Sequence, residues 1–119
     1  MACRVNSEDV RAIIDLEDTM DLHPHISAAN VLVTRYLSGV TDMTDAERKE
    51  IERWLAAHFA CIHDPRAMEE QIGDARVRYA KGKYGLGLDA TLYGQQVKIL
   101  DHSGLLSGVG RGRAFMEVL

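Results

Sequence analysis

Several things this chain lacks narrow what it can be. Aromatic residues make up only 6% of it, so a core must be packed from aliphatic side chains. With two prolines in 119 residues, 46% hydrophobic and 27% charged, it does not have the composition of a disordered or low-complexity segment. Cys3 and Cys61 are the only cysteines, and MACRVNSEDV holds no apolar run of signal-peptide length. The expectation is a reducing compartment and no disulfide. Nowhere do about 18 apolar residues follow one another, so no membrane-spanning helix is expected.

What is present suits one folded domain. A chain of this length buries roughly two-thirds of the surface its unfolded form exposes. The net charge of -4 argues against a surface built wholly to coat nucleic acid. Its distribution is uneven. Residues 1–64 hold six Lys/Arg against twelve Asp/Glu, giving -6, and residues 65–119 hold eight against six, giving +2. Such polarity suits contacts with different partners, or with copies of the same chain, through different faces, and equally suits solvated helix faces.

The first half reads as helical scaffold. Ser7 is placed to cap a short helix with Glu8 and Asp9 in its first turn and Val10, Ile13 and Ile14 inward, ending near Asp15. Leu16 to His23 reads as an acidic loop, with Leu22 as its anchor. Pro24 opens a second helix along Ile26, Ala29, Val33, Tyr36 and Leu37, with Gly39 as its stop. Ala28, Val31 and Leu32 widen its apolar stripe and mark it as the central helix. Thr44 and Glu47 form a capping box for a third helix. Ile51, Trp54, Leu55, Phe59 and Ile62 keep its apolar spacing, Glu47, Arg48, Lys49, Glu50, Glu52 and Arg53 decorate its solvent side, and Asp64 and Pro65 end it.

The character of the chain changes between Ile72 and Gly104. Ala75, Val77 and Tyr79 alternate with Arg76 and Arg78, the pattern of a strand with one apolar and one basic face. Gly82, Gly85 and Gly87 then break it. Asp89 is placed to cap a last helix from about Ala90 to His102, with Tyr93, Val97 and Leu100 on one stripe and Gly104 as the stop. Gly94 costs about 1 kcal/mol relative to Ala inside a helix, which implies a compensating close approach, either within the domain or by a neighbouring chain. Leu105 and Leu106 resume apolar contact. GVGRGR then forms a hinge before Ala114, Phe115, Met116, Val118 and Leu119, a run that wants a partner surface.

No constellation supports catalysis, so no enzyme, cofactor or metal is expected. His58, Cys61, His63 and Asp64 carry ligand chemistry, but without a second Cys/His pair, and Cys61 lies beside the apolar stripe, so burial is the preferred reading. His23 and His25 flank Pro24 and serve the helix start or solvent. Asp15, Glu17, Asp18 and Asp21 lack calcium-loop spacing and its glycine. No nucleophile elbow or Cys-His signature occurs. Around Lys81, Gly82, Lys83, Gly85 and Gly87 neither GxxxxGK[ST] nor GxGxxG occurs. Arg76, Arg78, Lys81 and Lys83, with Arg111 and Arg113, remain candidates for non-specific DNA-phosphate contact.

IGDARVRY followed by GLGLDATLYGQQVKILDHSGLL resembles the later half of the head-tail connector proteins of tailed bacteriophages, also called adaptor or head-completion proteins. The likeness spans residues 70–106. It implies a mainly α protein, a small bundle of about four helices, with a short β strand or hairpin before the last helix and an extended C-terminal arm. In domain terms, 1–106 form a single helical connector domain with the β extension near 72–88, and 107–119 form a flexible arm. The implied function is structural, a ring beneath the portal that joins the DNA-filled head to the tail. Implied partners are further copies of the chain, the portal protein, a downstream tail or stopper protein, and passing DNA, but no membrane. The implied location is the virion neck, reached from the host cytoplasm during assembly. Residues 75–79 become inter-subunit contacts, and Arg111, Arg113, Phe115, Met116, Val118 and Leu119 the portal-docking arm; independently of the resemblance, the glycine inside the last helix makes Tyr93, Gly94 and Gln95 candidates for contact with a neighbouring chain, close packing within the domain being the equal alternative. The competing reading is a small helical regulatory or nucleic-acid-binding protein that uses the basic strand and turn as its contact surface.

Overall fold

A computed structural model describes residues 3–16, 19–64 and 87–108. The described chain is mainly α, with four α-helices and, among the described residues, no strand. The expected strand at 75–79 and the arm beyond Gly108 lie outside it.

Helix α1, Ser7–Arg11, is capped by Asn6 rather than by Ser7. Asn6 has extended backbone, its side-chain oxygen accepts from Asp9 N at 2.9 Å, and its own N-H donates to the Asp9 carboxylate at 3.0 Å. The amide therefore takes the role that Ser7 was expected to fill, one residue earlier. The helix also ends at Arg11, short of Asp15, but turn hydrogen bonds from Ile13 and Ile14 to the Val10 carbonyl continue the coil and keep Val10 and Ile14 buried. Arg11 donates to the Met20 carbonyl at 2.9 Å, and Leu16 and Leu22 pin the acidic loop to the core.

Helix α2, His23–Leu37, has Pro24 in its first turn and buries Ile26, Ala29, Asn30, Val33 and Leu37. It is not the central helix. Val31 is 56% exposed and Ala28 is exposed, so of the wider stripe only Leu32 packs partly against the core. Gly39 does not take the left-handed conformation that a glycine stop uses. The exposed carbonyls are instead capped from α3, where Arg48 donates to Leu37 O at 3.0 Å and Val40 O at 2.7 Å. Arg48 was expected to face solvent; its guanidinium is spent on the end of α2.

Helix α3, Asp45–His63, starts at the expected capping box, with Glu47 N donating to Thr44 Oγ1 at 3.1 Å and Thr44 N to Glu47 Oε1 at 3.3 Å. It occupies the centre, touching α1, α2 and the last helix. Ala56, Ala57 and Ala60 are fully buried, and side chains this small let neighbouring helices approach from more than one side. Glu52, assigned to the solvent face by its charge, has no exposed surface at all.

At Gly87 the backbone is left-handed, with φ of 62°, and a 3-10 turn over Leu88–Ala90 leads into α4, Leu92–Leu100. Thr91, not Asp89, caps this helix, accepting from Gly94 N at 2.9 Å. Asp89 instead pairs with Lys98 at 2.7 Å. Val97 is buried, and Tyr93 and Leu100 pack partly against the core as their stripe predicts. The buried Asp101 accepts from the backbone N-H groups of Ser103 and Leu106, and Gly104, at φ of 71°, supplies the left-handed turn between them. Leu106 is thereby drawn into the core, while Leu105 points to solvent against expectation. Ser107 and Gly108, expected to begin the arm, bond back to Gly104.

Candidate interaction surface

The fold leaves one large apolar feature on the outside of α4. Trp54 from α3 and Tyr93 from α4 stack with ring centroids 6.1 Å apart and planes 27° from parallel, an offset arrangement favoured by the ring quadrupoles. They floor a groove of about 430 Å³ that Ile13, Leu92 and Ile99 complete. Leu92 is 66% exposed and Ile99 74%. These two are seven positions apart, two helical turns, so they stand on one face about 10 Å from each other. Exposed aliphatics paired beside an aromatic floor make a contiguous apolar patch.

Of the expected inter-subunit residues, Tyr93, Gly94 and Gln95 fall within the described chain and Ala75, Arg76, Val77, Arg78 and Tyr79 fall outside it. Tyr93 is part of the groove floor. Gly94 is buried and turned inward, where a Cβ would lie 2.2 Å from the Leu88 carbonyl oxygen. The close approach that explains this glycine is therefore within the chain, between the first turn of α4 and the 3-10 turn. Gln95 donates to the Asp89 carbonyl at 3.2 Å and lines the groove edge. Lys81, Lys83, Arg111, Arg113, Phe115, Met116, Val118 and Leu119 lie outside the described residues.

The residues weighed as metal ligands diverge. His58 is buried and pairs through Nδ1 with Thr91 Oγ1 at 2.8 Å, tying the cap of α4 to the middle of α3. Cys61 is buried in the apolar core. His63 points outward, its Nδ1 hydrogen-bonded to Phe59 O at 2.9 Å and its ring 5.0 Å from that of His25. Among the described residues no three His, Cys, Asp or Glu side chains are grouped to hold a metal ion. No described helix is long and apolar enough to cross a membrane.

Burial, and next the nearby His63, hold the His25 imidazole below its ordinary value of 6.5, with Asp21 acting in the opposite sense. The folded chain thus binds this proton more weakly than the unfolded chain does. The stabilising difference is fully present above the unfolded value near 6.5 and is lost as pH falls below it. Thermal melts of the wild type and His25→Gln between pH 7.5 and 5.5 are expected to show a smaller acid-side loss in the variant. Equal losses in both would remove His25 from the acid response.

A second polar assembly was missed by sequence reasoning. Glu52 Oε1 accepts from Arg4 Nη1 at 3.1 Å and from Asn30 Nδ2 at 3.2 Å, Glu52 Oε2 accepts from Arg4 N at 3.1 Å, and Arg4 Nη1 also reaches Thr34 Oγ1. The available signal was spacing: Glu52, Ala56 and Ala60 share one helix face, and the two alanines point to a close neighbour there. These groups pair with one another and lock the segment before α1 onto α2 and α3. Their geometry is that of a structural clasp.

Compared with known proteins, the chain matches no family model, no curated protein and no solved structure.

Proposed function

We propose that the protein is a structural head-tail connector of a tailed bacteriophage, forming a ring beneath the portal and linking head to tail. The observation that carries this reading is the exposed pair Leu92 and Ile99 beside the Trp54 and Tyr93 floor. It lies on the helix that the connector-like motif GLGLDATLYGQQVKILDHSGLL contributes. A ring needs a heterologous contact, one patch meeting a different patch on the next copy, and an apolar face on the outermost helix can supply one half of it. Partners are further copies, the portal protein and a downstream tail or stopper protein, and the site of action is the virion neck.

The test is mass measurement of the protein alone and with the portal protein of its own phage. A ring-sized complex is expected only in the mixture, and Leu92→Asp with Ile99→Asp should prevent it without loss of helix content. A complex that forms equally well with both substitutions would take the contact away from α4. Salt-sensitive binding of DNA by the free protein, abolished by neutralising Arg76, Arg78, Lys81 and Lys83, would replace the connector reading with the nucleic-acid-binding one.

A further inference from the structure

We infer that His25 and His63 together bind one divalent ion of the zinc, nickel and copper class, held between the first turn of α2 and the last turn of α3. This goes beyond the connector reading and does not depend on it, because it concerns the single chain and needs neither portal nor ring.

The separation of the two rings is the first observation. Their centroids are 5.0 Å apart and their planes 41° from parallel, so the pair is not a flat stack. An imidazole nitrogen binds such an ion at about 2.0–2.1 Å, and the ring centroid lies roughly 1.1 Å behind that nitrogen, so two rings on one tetrahedral ion stand about 5.2 Å apart. The pair already has that spacing.

The second observation is the tautomer of His63. Its Nδ1 lies 2.9 Å from Phe59 O, and because a carbonyl oxygen only accepts, the ring proton is on Nδ1. In the neutral ring the lone pair is therefore on Nε2. A ring N-H given to a backbone carbonyl fixes the orientation of a histidine and raises the basicity of its other nitrogen, which is the usual outer support of a metal-bound imidazole.

The third is the frame that carries both rings. Pro24, in the first turn of α2, fixes the backbone beside His25, and Asp64 N, donating to Cys61 O at 3.1 Å, holds the turn that presents His63. Helices α2 and α3 pack directly on each other, so binding has little to order beyond two side chains. His25 is half-buried and His63 exposed, which leaves the site open to solvent on one side. The Asp21 carboxylate, which accepts from His23 N at 3.0 Å, places negative charge within reach of His25 and so favours a cation there. Imidazole suits zinc, nickel and copper, whereas magnesium and calcium take oxygen ligands. Two side chains are fewer than a closed site uses, so water fills the remaining positions and the ion stays exchangeable. Once bound, it ties the start of α2 to the end of α3 and stabilises the fold by mass action.

The test is calorimetric titration of the untagged full chain, first stripped by a chelator, with zinc(II), copper(II) and magnesium(II). One zinc ion per chain is expected, with a dissociation constant in the micromolar range, tighter binding of copper, no response to magnesium, and a rise in melting temperature that chelator reverses. His25→Ala and His63→Ala should each weaken zinc binding by roughly tenfold or more, since loss of a mere outer-shell partner already costs that much, and should remove the thermal rise. If His25→Ala lowers stability, His63→Ala still decides, because that side chain is exposed. His23→Ala, His102→Ala and Cys3→Ser alter other exposed ligand-type side chains and should change nothing. In nitrogen spectra of the histidine rings, zinc should shift the Nε2 resonance of His63 while Nδ1 keeps its proton. No zinc binding below millimolar concentration, or binding that survives His63→Ala, would overturn the inference. So would binding abolished by the His23, His102 or Cys3 variant instead, which would place the ion elsewhere.

Discussion

Glu52→Ala is expected to lower the unfolding free energy by about 2–3 kcal/mol, the cost of losing hydrogen bonds to a charged group and leaving a buried donor unpaired. Glu52 is wholly buried and takes three hydrogen bonds, from Arg4 N, Arg4 Nη1 and Asn30 Nδ2. Its removal strands the Asn30 amide, itself 6% exposed, and leaves a void beneath Ala56. Glu52→Gln should not rescue the loss. The glutamine NH2 must replace one carboxylate oxygen, and each oxygen faces a donor, so one donor-donor contact is unavoidable. Arg4→Ala should cost no less than Glu52→Ala, because it leaves the wholly buried Glu52 carboxylate without its counter-charge, whereas the Arg4 side chain, 25% exposed, can be hydrated when Glu52 is removed. The double variant should lose less than the sum of the two single losses. Urea unfolding of the four proteins checks this; a Glu52→Ala loss below about 1 kcal/mol would mean the clasp contributes little.

Gly94→Ala is expected to destabilise by about 3 kcal/mol, against the helix-propensity preference of about 1 kcal/mol that favours alanine at an open helical position. The two effects have opposite signs, so the measurement decides between them. An alanine Cβ would lie 2.2 Å from the Leu88 carbonyl oxygen and 2.8 Å from its carbonyl carbon and Cα. Backbone cannot swing aside as a long side chain can. Leu88 is anchored in the core, and its turn is closed by Ala90 N donating to Gly87 O at 3.0 Å. Relief would require α4 to move away, and that movement would loosen Thr91 Oγ1 from both Gly94 N and His58 Nδ1. A fall in melting temperature of roughly 10–20 °C is expected for a domain of this size. A rise would show that α4 sits farther from the 3-10 turn.

Local signals were legible wherever one residue type performs one local task. The Thr44 and Glu47 box was readable because both partners lie within four residues and the bonds are made inside one turn. Asn6 shows the limit of that reasoning: Ser7 and Asn6 are both good caps, and only the backbone conformation at Asn6 decides between them. The same holds for Thr91 over Asp89, where the deciding factor is a histidine 33 positions away that also bonds the threonine hydroxyl. Charge misled at Glu52 and Arg48, since a helix-face pattern treats ionisable groups as solvated and cannot see a distant partner that satisfies them. The apolar groove was half legible. Tyr93 was singled out by position, whereas Trp54 from α3 and Ile13 from the turn after α1 join it only through tertiary packing.

By itself, then, the sequence determined that the described chain is mainly helical, where its helices lie to within a few residues, and most of its aliphatic core, because periodicity and capping are properties of neighbours along the chain. Tertiary structure decided which helix is central, which charges are buried and which apolar residues remain outside. Those are properties of packing between distant segments. Ala56, Ala57 and Ala60 place α3 in the middle by their small size, Arg4 and Asn30 make a buried Glu52 tolerable, and Leu88 turns Gly94 inward and so leaves Leu92 and Ile99 exposed on the other face of α4.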